Sequence, residues 1–200
     1  MRTLAAALLL SAVAAATFAH DAAHGTPPLP AAEGLALPLA LGGPFTLTDQ
    51  HGQTRTEVDP DGRLQLLFFG YAHCEAICTV ALPQMAGIVQ GLRAQGIPVR
   101  PIMVTVDPDR DTPAAMAKAL GELDPDFVGL TGSPKALAAT YKAFSVENTV
   151  VFGDPEGNPV YAHGSLLYLL DGQGRFLTVI PPILSDERAT EIIAAFAARS

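Results

Sequence analysis

The two cysteines of this 200-residue chain lie four apart, as Cys74 and Cys78 in the stretch FFGYAHCEAIC. Thiols so spaced do chemistry in one of two ways. They exchange electrons as a dithiol/disulfide pair, or they bind a soft metal ion as thiolates. On a regular helix, residues four apart share a face with Cβ atoms about 5–6 Å apart. A relaxed disulfide brings its Cβ atoms to about 3.5–4.5 Å. A bridge therefore requires Cys74 to lie in a turn before the helix, whereas two thiolates on a helical face can converge on a metal between them. A bridge closing so short a loop constrains the unfolded chain little, so a purely structural disulfide is an inefficient use of the pair.

The elements around the pair come from the pattern of the chain. Leu64–Gly70 (LQLLFFG) is apolar almost throughout, as in a strand covered on both faces. A helix follows, with Thr79 as its expected cap, passing through Met85, Ile88, Val89 and Leu92 towards Gly96, and Pro83 falls early in it. Val99–Val106 is the next strand, and strand, helix and strand in this order make a right-handed crossover with parallel strands. Before them, Phe45–Thr48 and Gln53–Val58 read as a hairpin. After them come a helix begun by Thr112 and Pro113, a short strand at Phe127–Leu130, and a helix begun by Ser133 and Pro134. Glu147–Val151 and Pro159–Ala162 are short extended pieces. Ser165–Leu170 and Arg175–Ile180 form a hairpin across Asp171-Gly172-Gln173-Gly174, and Ser185–Ala198 is a closing helix. The expected fold is α/β and thioredoxin-like, a central mixed sheet flanked by helices, with the first hairpin as an N-terminal extension.

In that layout the cysteines sit at the start of the helix after the first core strand, where the helix N-terminus favours the thiolate. The loop before the final hairpin faces the same point, and it reads Pro159-Val160-Tyr161-Ala162-His163-Gly164-Ser165. His163 is thus the expected third ligand beside Cys74 and Cys78. Two thiolates and one imidazole suit copper above other metals, whereas a structural zinc site calls for a fourth ligand. His73, next to Cys74, is assigned a supporting rather than a ligating role. Met85 and Met103 lie on apolar faces and belong to the core.

Composition sets the context. An apolar fraction of 49% over this length is ample for one domain. A net charge of −8 argues against a nucleic-acid partner, which calls for a basic patch. Residues 1–19 carry Arg2, then an unbroken run of apolar and small residues ending Thr17-Phe18-Ala19, and read as a signal peptide or an uncleaved anchor. Residues 20–40 are a Pro-rich linker in which His20 and His24 are incidental, and the domain spans 41–200. Export to the periplasm is expected, where a disulfide is permitted.

The segments FFGYAHCEAIC, VTVDPDRDTPAAM, DFVGLTGSPKALAATYKAF and HGSLLYLLDGQGRF, in that order, resemble the Sco/SenC family of exported, thioredoxin-like copper proteins. The resemblance runs from about Leu41 to the C-terminus. It implies copper, as Cu(I) or Cu(II), held by Cys74, Cys78 and His163. It further implies a metallochaperone for the dinuclear copper centre of cytochrome c oxidase subunit II, supplied by a copper donor or a thiol reductant. A monomer is expected. The alternative is a periplasmic thiol-disulfide oxidoreductase using Cys74 and Cys78 without metal; a redox or copper sensor is a third reading. Asp107 matches the family's Asp-Pro turn and is expected to be architectural. The chain departs from the family at Glu75 and Thr79, where proline usually follows each cysteine, and at Ala162, where aspartate commonly precedes the histidine. Glu75 places a negative charge beside Cys74, which raises a thiol pKa.

Overall fold

The computed structural model describes residues 41–72 and 78–199, with the backbone alone at Cys78. The expected leader, the linker, His73, Cys74 and Glu75 lie outside the described residues. Thirteen elements follow one another: β1 (Thr46–Asp49), β2 (Thr54–Thr56), β3 (Leu64–Gly70), α1 (Cys78–Ala94), β4 (Val99–Thr105), α2 (Pro113–Gly121), β5 (Val128–Thr131), α3 (Pro134–Ala143), β6 (Thr149–Gly153), β7 (Pro159–Ala162), β8 (Leu167–Leu170), β9 (Phe176–Ile180) and α4 (Asp186–Ala197).

Seven strands make the central sheet in the order β2-β1-β5-β4-β3-β8-β9. β3, β4 and β5 run parallel, while β8 joins β3 antiparallel and is followed by its hairpin partner β9. With α1 between β3 and β4, and the hairpin β8–β9 followed by α4, this is the thioredoxin-like arrangement. The N-terminal hairpin is part of the same sheet, since β1 pairs antiparallel with β5. β6 and β7 stand apart as a two-stranded ribbon.

The sheet is mixed and covered on both faces because its middle strands are apolar on both. All seven residues of β3 and all seven of β4 are buried. Phe68, Met103 and Gly129 lie side by side in register, and α2 closes on that face, with Met116 and Leu120 against the bare Cα of Gly129. The neighbouring residue Phe69 points the other way. There Tyr141 of α3 and Phe144, just past its end, place their rings 6.1 and 5.3 Å from that of Phe69. α4 packs along α1, where Gly87 and Gly91 leave room for Asp186 and Thr190.

Local chemistry sets the element boundaries. Thr112 and Ser133 cap α2 and α3 through their side-chain oxygens, each with proline at the first helical position. Ser185 caps α4. Thr79, expected as the cap of α1, instead lies inside that helix, which already includes Cys78. Four turns share one device, an aspartate three residues before a glycine: Asp49–Gly52, Asp59–Gly62, Asp154–Gly157 and Asp171–Gly174. Each glycine N–H donates to the aspartate's backbone carbonyl at 2.9–3.1 Å. Each carboxylate accepts the backbone N–H four residues on, at 2.7–3.1 Å. The glycines have φ of +69° to +85°, a region costly for any side chain.

Two of these turns lock together. Asp59 N–H donates to the Gly172 carbonyl, and a Cβ on Gly172 would fall 2.4 Å from the Gly62 carbonyl oxygen. Backbone cannot yield as a flexible side chain can. Gly172→Ala is expected to destabilise the fold by about 1–3 kcal/mol, the usual cost of overpacking. Gly121→Ala, where nothing lies within 4 Å, should leave stability unchanged or raise it. Urea denaturation midpoints of the two variants check the contrast.

Candidate metal centre

The site forms at the carboxyl ends of β3 and β4, where open sheets of this kind leave a crevice. β3 ends at Gly70, Tyr71 is still buried, and the chain leaves the sheet at Ala72. Its exit is pinned. The Ala72 N–H donates to the Asp111 carboxylate at 3.0 and 3.2 Å. Asp111 is fully buried and also accepts from the Thr105 hydroxyl, at 2.6 Å, at the end of β4. The Thr105 hydroxyl in turn accepts the Asp107 N–H at 2.9 Å. The Tyr141 hydroxyl donates to the Thr105 carbonyl at 2.6 Å. Burial pushes the Tyr141 phenol far above its ordinary pKa, so it stays protonated and remains a donor.

His163 arrives from the opposite side. It follows directly on β7, and the glycine after it, Gly164, has φ +74°, which turns the chain back towards β8. The sequence pattern ran the next strand from Ser165; β8 begins at Leu167, so His163 belongs to the end of the ribbon rather than to the start of β8. The imidazole is only 5% exposed. The Phe68 and Tyr71 rings each lie 5.7 Å from it in edge-to-face contact. A polar ring is thereby set in an aromatic corner at the end of β3, three residues before Cys74.

Arg110 fastens the ribbon to that corner. It forms an ion pair with the buried Asp107 and donates to the Pro159 carbonyl of β7 at 2.8 Å, and its guanidinium lies 5.6 Å from the Tyr71 ring. Burial opposes its charge, but the Asp107 carboxylate outweighs that and raises the Arg110 pKa above its ordinary value. The Tyr161 ring on β7 packs edge-on against Tyr71, 5.7 Å away. Its phenol is raised first by burial and then by the negative charge of Asp107.

The described structure brings together only part of the expected set. His163 lies at the crevice, and the backbone of Cys78 is part of α1. Cys74 and the Cys78 side chain lie outside the described residues. Among the described residues no three His, Cys, Asp or Glu side chains form a metal site. Met85 and Met103 are fully buried core residues, as expected, and Ala162 is exposed. Asp107 is the architectural residue expected of it, through Arg110.

Asp111, Arg110 and Tyr71 escaped the sequence reading. The available signal was in VDPDRDT: a strand ending in threonine, then a turn in which the Asp111 N–H returns to the Asp107 carbonyl at 2.9 Å. Hydrogen bonds to a charged group are each worth about 1.5–3 kcal/mol. Asp111→Ala removes the acceptor of the half-buried Ala72 N–H and of the buried Thr105 hydroxyl. It is expected to lower the urea midpoint far more than Asp109→Ala, which alters an exposed residue. Equal midpoints would show that the Ala72 anchor contributes nothing.

Comparison with known proteins agrees with this architecture. The SCO1/SenC family model matches residues 34–198. A SCO2-like protein of Rickettsia conorii is 36% identical over 140 residues, covering 70% of this chain and 68% of its own length. The structure of Bradyrhizobium japonicum ScoI with copper bound superposes with a TM-score of 0.69 at 33% identity, over 78% of this chain and 99% of that one. Arabidopsis thaliana ScoI with copper bound gives a TM-score of 0.75 at 26% identity, over 80% of this chain and all of that one. With the family model matched across nearly the whole described fold, from β1 to α4, the chain belongs to the SCO1/SenC family.

Proposed function

We propose that this protein is an exported copper carrier that holds one copper ion through Cys74, Cys78 and His163. It passes the ion to the dinuclear copper centre of cytochrome c oxidase subunit II. The observation that carries this reading is the placement of His163, a buried imidazole lodged at the end of β3. Cys74 is three positions after Tyr71, which touches that imidazole, a chain reach of at most about 11 Å. Cys78 belongs to α1, and a cysteine near a helix N-terminus is biased towards its thiolate. Solved relatives at 33% and 26% identity contain copper.

The donor set fits a transferable ion. Two thiolates select a soft cation such as Cu(I), and imidazole binds either oxidation state of copper. Three protein ligands leave a position at which a partner's thiolate can enter. Transfer then proceeds by ligand exchange, with no change in the oxidation state of copper or sulfur. The aromatic corner and the Arg110 clamp hold the His163 ring in place, so the ion meets a preformed ligand on one side.

The helix N-terminal position of Cys78 equally favours the second reading, a thiol-disulfide oxidoreductase. In that reaction the Cys74–Cys78 dithiol gives two electrons and two protons to a partner's disulfide. His163 is not needed for it, which makes His163 the discriminating residue.

Copper titration of the reduced protein is expected to show one ion bound. His163→Ala should weaken binding by more than the roughly 10–100-fold typical of losing a group behind the ligands, with circular dichroism unchanged. Equal affinities would sink the three-ligand site. For the second reading, the assay is turnover of a disulfide substrate by metal-free protein. The copper-carrier reading expects slow or absent turnover, and fast turnover unaffected by His163→Ala would replace it with the oxidoreductase.

A further inference from the structure

The ribbon that delivers His163 carries a surface the copper reading does not use. Val150, Val151 and Phe152 are consecutive on β6 and are 60%, 61% and 59% exposed. Large apolar side chains scattered singly on a surface are ordinary, but a contiguous run on a projecting element marks a contact site. The ribbon is held rigidly against the site by Arg110 and by the Tyr161–Tyr71 contact, so whatever covers β6 lies beside His163. A cleft of about 450 Å³ between the turn at Pro108, the segment before β6 and α3 is lined by Pro108, Leu137, Tyr141, Lys142, Val146 and Asn148.

Two features say what fits there. The run from Ser145 to Leu166 contains no lysine or arginine, while the exposed Glu147 precedes β6 and Asp154 and the exposed Glu156 follow it in the chain. A second copy would bring carboxylates against carboxylates. It would also have to pair along a strand that is bulged between Val150 and Phe152, and bulges blunt edge-to-edge pairing. We infer that the β6–β7 ribbon is the docking surface for the protein that exchanges copper with this one, and that this partner presents an apolar face ringed by lysine or arginine. The inference rests on the copper-carrier reading for the partner's role, but not for the existence of the contact.

The experiment uses metal-free, reduced full-length protein and the soluble copper-binding domain of cytochrome c oxidase subunit II as the probe, with binding followed by calorimetry. The double variant Val151→Ser/Phe152→Ser alters only exposed side chains and should keep the wild-type unfolding midpoint and copper affinity. It is expected to weaken binding of the domain at least about tenfold, the loss that follows removal of an apolar anchor from an interface. Glu147→Lys/Glu156→Lys should also weaken binding, and wild-type binding should weaken as salt is raised. No binding by the wild type, equal binding by the double variant, or binding insensitive to salt and charge reversal would each overturn the inference. So would a wild-type dimer in sedimentation that Val151→Ser/Phe152→Ser dissociates. Copper titration of the same samples separates the two proposals: wild type that binds copper but not the domain removes the docking surface alone. Wild type that binds the domain through the ribbon but takes up no copper removes the carrier reading alone.

Discussion

Asp111 ties the end of β3 to the end of β4. Its buried carboxylate accepts from Ala72, where the chain leaves β3, and from Thr105, where β4 ends. Thr105 also receives the Tyr141 hydroxyl from α3 and the Asp107 N–H from the following turn. A buried carboxylate is tolerated only when its oxygens are occupied by donors, and here the donors are the groups that fix where the cysteine-bearing segment begins. The point at which the chain leaves β3 is therefore set by a buried polar contact.

The second support is aromatic. Phe68 and Tyr71 flank the His163 ring, Tyr161 packs on Tyr71, and the Arg110 guanidinium lies near the Tyr71 ring while bonding to Asp107 and Pro159. These contacts bind the β6–β7 ribbon, which has no strand partner in the central sheet, to the carboxyl end of β3. The VDPDRDT stretch thus serves both sides of the crevice. Asp111 positions the entry to the cysteine segment, and Asp107 with Arg110 positions the ribbon that carries His163.

Much of this was legible in the residues. The unbroken apolar run of Leu64–Gly70 marked the central strand, and Thr112-Pro113 and Ser133-Pro134 marked two helix starts, because capping and proline geometry act over a few residues. The Asp-x-x-Gly turns are local in the same way. Thr79 was misread as a cap because threonine suits both a cap and a first helical turn, and only the path of the preceding chain separates the two. The strand after His163 was expected from Ser165 but begins at Leu167, because Ser165 and Leu166 look extended in sequence. The left-handed turn at Gly164 delays the start of that strand.

Two cysteines four apart, a downstream histidine and the order of strands and helices can be read from the residues alone, because side-chain chemistry and periodicity are carried by neighbouring residues. Only the tertiary structure decided that Asp111 reaches Ala72 across 39 positions. It alone decided that Arg110 reaches Pro159 across 49, and that Val150, Val151 and Phe152 remain uncovered while equally apolar strands are buried. Those outcomes depend on which segments the folded sheet brings together. No local pattern encodes a pairing at that separation.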